Sequence, residues 1–197
     1  MTAAAKPDQP AKHIRLFIAV EVPPRVREAI ERALGPWRER FPEAKWVRPE
    51  NRHITVKFLG RTLPSQLEDV RRACAATARA IRPFRIRVAG MGVFPSPGRA
   101  RVLWVGLRDK EGGLGAVAAS LDRGLAGDFP PERRAFSAHL TVARLNPPRP
   151  VREQVEELKA TEVGAESFRV GSLVLYRSHL SPRGARYEAL DRFALRG

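Results

Sequence analysis

His53-Ile54-Thr55-Val56 and His139-Leu140-Thr141-Val142 are two copies of one short phrase. The chain has four histidines, and two of them open it. Both copies lie in β-prone surroundings, HITVKFLG from 53 and HLTVARL from 139, rich in branched and apolar residues. In a strand, side chains at i and i+2 point to one face. Each copy therefore presents an imidazole and a hydroxyl on one side, and Ile54/Val56 or Leu140/Val142 on the other. A single His alternating with Thr is ordinarily a solvated or satisfied structural histidine. Packing alone gives no reason to repeat the pair with the same parity, so two copies point to one site built from two similar halves.

Working outward, five blocks surround these phrases in order. They are RLFIAVEVP (Arg15 to Pro23), WVRPENRHITVKFLG (Trp46 to Gly60), GVFPSPGRARVLWVGL (Gly92 to Leu107), FSAHLTVARL (Phe136 to Leu145) and LVLYRSHLSPRGARYEAL (Leu173 to Leu190). Together they resemble the RNA 2′,3′-cyclic phosphodiesterases, also called bacterial 2′–5′ RNA ligases, of the two-histidine phosphoesterase superfamily. Ala138, where the family often has Pro, and His179, where an acidic residue is common, depart from the pattern without touching the motif residues.

Length and composition are compatible with what the resemblance implies. A chain of 197 residues with 43% hydrophobic content is expected to fold as one compact domain or two small lobes sharing a core. The net charge of +15 and pI near 11.3 favour polyanionic partners, nucleic acid first and an anionic membrane second. Arg greatly outnumbers Lys, and its planar fork suits phosphate; a general bias toward Arg codons is the competing explanation. The single cysteine, Cys74, excludes an intramolecular disulfide and a Cys-cluster metal site. In RRACAATARA it reads as a small buried helix residue. No apolar run approaches transmembrane length, and the opening MTAAAKPDQPAK lacks a signal-peptide h-region. The expectations are a flexible tail over 1–13, a single domain over 14–197, a cytoplasmic location and no membrane partner.

The patterning predicts a strand at 14–20 and a helix started by Pro23-Pro24 with Val26, Ile30, Leu34 and Trp37 inward. A strand around Trp46-Val47 precedes the motif strand 53–59, which Gly60 ends. Ser65 with Glu68 reads as a capping box opening a helix to about Ile81. Strands follow at 84–93 and 101–107 around the PSPGR turn, then a helix between Gly112 and Gly127. The second motif strand covers 138–145, a short helix 151–160, and closing strands 167–177 and 185–193. The residues alone support an α+β globule with a possible internal duplication. The resemblance implies more: two pseudo-symmetric antiparallel β-sheet lobes with outer helices and a central cleft.

Opening a 2′,3′-cyclic phosphate needs a proton carrier on either side of phosphorus, one to activate water and one to protonate the leaving oxygen. Histidine suits both roles, its ordinary pKa being roughly 6.5. Threonine hydroxyls can donate to the non-bridging oxygens, where charge builds up. The residues leave acid and base interchangeable. The resemblance makes His53 the acid, His139 the base, and Thr55 and Thr141 phosphate holders, with a 2′-phosphate product and no cofactor or metal. It also places Arg144 near the phosphate, although strict alternation turns Arg144 away unless the strand bulges. Lys57 shares parity with His53 and Thr55, so it is either substrate-directed or a solvated edge lysine. Phe94 reads as a core or turn anchor that could instead stack on a base. His13 belongs to the solvated tail, and His179 to a surface loop. The expected partner is RNA with 2′,3′-cyclic phosphate ends, tRNA fragments among the candidates, bound by a monomer. The alternatives are a metal site, which lacks HxH or HxxxH spacing and nearby carboxylates; a non-catalytic RNA-binding module; and 2′–5′ RNA ligation by the same site in reverse.

Overall fold

Ile14–Glu21 (β1) is buried along five consecutive residues, Leu16 to Val20, as a strand flanked on both sides must be. In the computed structural model, which describes residues 13–197 apart from 133, 165, 166 and 183, β1 runs antiparallel to two neighbours. These are His53–Thr62 (β3) and Ser172–Ser181 (β8), and Gly184–Ala194 (β9) completes a four-stranded sheet in the order β3-β1-β8-β9. The expected tail falls almost wholly outside the described residues; His13 is exposed.

A second antiparallel sheet joins Lys45–Trp46 (β2), His139–Arg149 (β6), Ala100–Arg108 (β5), Phe84–Phe94 (β4) and Phe168–Val170 (β7), in that order. Four helices cover the sheets: Pro24–Arg40 (α1), Leu67–Ala80 (α2), Gly113–Gly124 (α3) and Val155–Ala160 (α4). Helices α2 and α3 pack beside the first sheet, and α4 beside β4. The Trp37 indole of α1 donates to Thr161 Oγ1 just past α4, at 3.1 Å. This is the expected α+β arrangement of two antiparallel lobes, and the motif strands β3 and β6 abut where the sheets meet.

Several local expectations change. Ser65 makes no cap; the Gln66 side chain instead accepts the Leu63 N–H, and α2 begins at Leu67. Gly60 does not end β3, because its φ of 69° makes an irregularity that the strand passes through to Thr62. β6 likewise continues through Pro147-Pro148 to Arg149, and Gly171 splits 167–177 into two strands. Helix α3 stops at Gly124, and its first N–H groups are held by the Asp109 carboxylate, at 3.1 Å from Gly113 and 2.7 Å from Leu114.

Lys57 is neither substrate-directed nor solvated. It is 7% exposed, and its ammonium pairs with Asp122 and donates to the Pro130 carbonyl at 3.1 Å, tying β3 to α3. Removing the ammonium leaves Asp122 without its cation, at a cost of about 2 kcal/mol because that carboxylate keeps some access to water. Lys57→Met is therefore expected to lower the unfolding midpoint while turnover stays within about twofold. Thermal unfolding measured beside steady-state kinetics checks this. A variant of normal stability and lost turnover would return Lys57 to the site.

Candidate active site

Each motif strand carries one extra residue directly after its His-x-Thr. On β3, Ile18 pairs with Lys57 and the next residue, Ala19, with Thr55, so Val56 has no opposite number. On β6, Leu103 pairs with Ala143 and Trp104 with Thr141, so Val142 is left over. Val56 and Lys57 both turn inward, as do Val142 and Ala143. The bulge resets the alternation, and the residue five places after each histidine returns to the histidine face. In one half that residue is Arg144 and in the other Phe58, whose ring is 66% exposed. The twist required for Arg144 is this bulge.

One cleft of about 450 Å³ gathers these side chains: His53, Thr55 and Phe58 from β3, and His139, Thr141 and Arg144 from β6. The imidazoles are held alike. His53 Nδ1 donates to the Asn51 carbonyl at 2.7 Å, and His139 Nδ1 donates to the Ser137 carbonyl at 2.7 Å. In each ring this fixes the tautomer and leaves Nε2 for the cleft. Neither threonine hydroxyl has a hydrogen-bond partner among the described residues.

The surroundings of the two rings differ. His53 stacks on Phe17 at 4.7 Å and meets the edge of Tyr187 at 5.0 Å. Phe17 stacks in turn on Tyr176 at 5.1 Å, whose hydroxyl donates to Glu21 at 3.0 Å. Arg192 holds both oxygens of Glu21, at 2.6 and 2.8 Å. Burial pushes the His53 pKa down to about 4; the Asn51 carbonyl opposes this, and the Arg144 charge adds to it. His139 is flanked by Phe94, edge-on at 5.0 Å, and Phe94 packs on Trp104 at 5.2 Å. Phe94 is thus a wall of the cleft and more than a turn anchor.

Among the described residues, no Asp or Glu lines this cleft. Among the described residues, no group of three or more His, Cys, Asp or Glu side chains is placed to share a metal ion. Cys74 is buried in α2, where burial pushes its thiol up to about 12 and disables it as a nucleophile. His179 lies in β8 and not in a loop, with Nε2 2.7 Å from Glu188. It stays out of the cleft, which its neighbours Ser178 and Leu180 line.

The family described as LigT like Phosphoesterase matches the chain twice in succession, over residues 20–104 and 105–187, one motif in each. The chain belongs to the LigT-like phosphoesterases. A protein of Methanothermobacter thermautotrophicus named RNA 2′,3′-cyclic phosphodiesterase is 35% identical over 92% of this chain and 99% of its own. One of the same name from Thermus thermophilus is 36% identical over 93% and 91%. Among solved structures, a Thermus thermophilus protein superposes with a TM-score of 0.79 at 32% identity, covering 93% of this chain and 99% of that one. E. coli LigT complexed with 3′-AMP gives 0.68 at 27% identity, covering 94% and 99%.

Three residues of this LigT-like site escape a reading of the sequence. Phe58 is signalled by its place, since it stands where Arg144 stands in the second phrase. Tyr187 and Phe17 carry no such signal, because they reach His53 from β9 and β1 through the sheet pairing. Each imidazole in its neutral form is expected as the Nδ1–H tautomer, and His53 stays neutral until the pH approaches about 4. Nitrogen-15 NMR of the two rings reads this directly, and Nε2–H tautomers would contradict it.

Proposed function

We propose that this chain is an RNA 2′,3′-cyclic phosphodiesterase that opens the cyclic end to a 2′-phosphate, with two histidines and no metal. The observation that carries the reading is the matched pair of imidazoles, each tied back through Nδ1 and sharing one cleft with two unengaged threonine hydroxyls. The names of the relatives support the substrate class. His139 takes a proton from water as its oxygen bonds to phosphorus. His53 gives a proton to the 3′ oxygen as the bond between that oxygen and phosphorus breaks. Thr55, Thr141 and Arg144 receive the negative charge of the non-bridging oxygens. Phe58 and Phe94 supply ring faces on which a terminal base stacks.

The low pKa of His53 bears on the assignment. An acid at about 4 is mostly deprotonated in the free protein at neutral pH. A bound phosphate anion reverses this balance: it attracts the imidazolium directly and offsets the Arg144 charge that repels it. The acid therefore takes its proton with the substrate.

In saturating EDTA, hydrolysis of an oligonucleotide 2′,3′-cyclic phosphate is expected to persist and to yield a 2′-phosphate. His53→Ala and His139→Ala are each expected to slow it about a hundredfold or more. Inhibition by EDTA with recovery on adding zinc would overturn the metal-free reading.

The pH profile tests the roles separately. Loss of an acid makes the rate fall as pH rises through its pKa. That limb is expected at higher pH in kcat, which reports the complex, than in kcat/KM, which reports the free protein. A rate that instead rises with deprotonation of His53 exchanges the two roles.

A further inference from the structure

The face of the second sheet that carries His139 does not end at the cleft. His139 pairs with Gly106, and Gly106 pairs with Ala89, so the three lie in one row across β6, β5 and β4. Two residues along, Arg108 pairs with Arg87. Two further along β4 is Arg85. Alternation puts all three arginines on the His139 face, and all are exposed. At about 3.3 Å per residue and about 4.8 Å between strands, the Arg108 and Arg87 backbones lie roughly 8–12 Å from that of His139.

These arginines, with Lys110, line a hollow of about 770 Å³ in which Glu111 is the one carboxylate among the described residues. Arg85 is oriented by Ser167, donating to its hydroxyl at 2.8 Å and its carbonyl at 3.0 Å. No side-chain hydrogen bond or ion pair engages Arg87, Arg108 or Lys110 among the described residues. This contrasts with Arg38, Arg40, Arg52 and Arg149, each paired with a glutamate.

We propose that this hollow is a shelf for the phosphodiester backbone of the RNA that leads into the cleft. The inference rests on the cyclic-phosphodiesterase reading and deepens it: the substrate class is an oligonucleotide, bound by its backbone, rather than a free cyclic mononucleotide. A strand ending in a 2′,3′-cyclic phosphate has all its other nucleotides on the 5′ side, so its backbone leaves the cleft in one direction only. The row beyond His139 offers that direction a run of unengaged cations on the catalytic face itself. Forked guanidiniums at spaced positions match successive phosphates and impose no sequence preference. A membrane surface fits poorly, because it needs an apolar face beside the charge. Among the described residues the large exposed hydrophobics are Phe58, Leu63 and Leu180, and none of them lines the hollow.

The test compares Arg87→Gln/Arg108→Gln with the unaltered protein on two substrates, a single-stranded oligonucleotide with a 2′,3′-cyclic phosphate and the corresponding cyclic mononucleotide. A control, Arg79→Gln/Arg123→Gln, removes equal charge from exposed positions on the outer helices. The shelf predicts at least a tenfold loss of kcat/KM on the oligonucleotide for the first variant and no change on the mononucleotide. The log–log salt slope for oligonucleotide binding should become shallower by roughly 0.7 for each phosphate that the variant no longer neutralises. No loss on the oligonucleotide, an equal loss on both substrates, or an equal loss in the control overturns the shelf and leaves the cleft reading standing. Failure of the unaltered protein to open either substrate overturns the catalytic reading on which the shelf rests.

Discussion

In both halves one surplus residue, Val56 or Val142, forces two consecutive side chains into the core directly after a His-x-Thr phrase. The site depends on this constraint. Without the bulge, strict alternation would send Lys57 and Ala143 to the cleft and bury Phe58 and Arg144. With it, the cleft receives an imidazole, a hydroxyl and a five-places-on residue from each strand, while Lys57 is spent on a buried pair with Asp122. The bulged pairs also differ in chemistry. One half offers a flat apolar ring and the other a cation, which on the proposed function divides a nucleotide between base and phosphate. A duplicated scaffold thereby becomes an asymmetric site.

The same asymmetry governs the histidines. Both are anchored through Nδ1 to a carbonyl two residues back, so backbone geometry presents both Nε2 atoms in one way. Their walls are not equivalent. His53 stands in an aromatic stack whose far end is fixed by Tyr176, Glu21 and Arg192, and burial there drives its proton off. On the proposed function, an aromatic enclosure of this kind makes the protonation state answer to the arriving phosphate charge, so that proton uptake is coupled to binding.

Much of this is legible in the chain. The repeated phrase marks both histidines and both threonines, and apolar periodicity places the strands and helices that carry them. Where sequence and structure part, a register shift or a distant partner decides. Lys57 is misplaced by alternation because that pattern does not record a bulge, although Phe58 and Arg144 at equal spacing are the available clue. Gly60 and Pro147-Pro148 look like strand ends, yet both sit where a strand continues through an irregularity. Phe17 and Tyr187 are ordinary aromatics in sequence and become walls of the site only when β1 and β9 join the first sheet. His179 looks like loop because SHLSPRG is turn-rich, whereas the β8–β9 ladder runs to Ser181.

In the proposed reaction the two halves divide the proton transfers, His53 serving the leaving oxygen and His139 the attacking water. An aryl phosphodiester separates these duties, because p-nitrophenolate departs without needing a proton. Turnover of this ester and of an oligonucleotide 2′,3′-cyclic phosphate should be measured for His53→Ala and His139→Ala. The account predicts that His53→Ala keeps most of its activity on the aryl ester while losing about a hundredfold or more on the cyclic phosphate, and that His139→Ala loses activity on both. Equal losses for both variants on both substrates, or rescue of His139→Ala by the aryl ester, would contradict it.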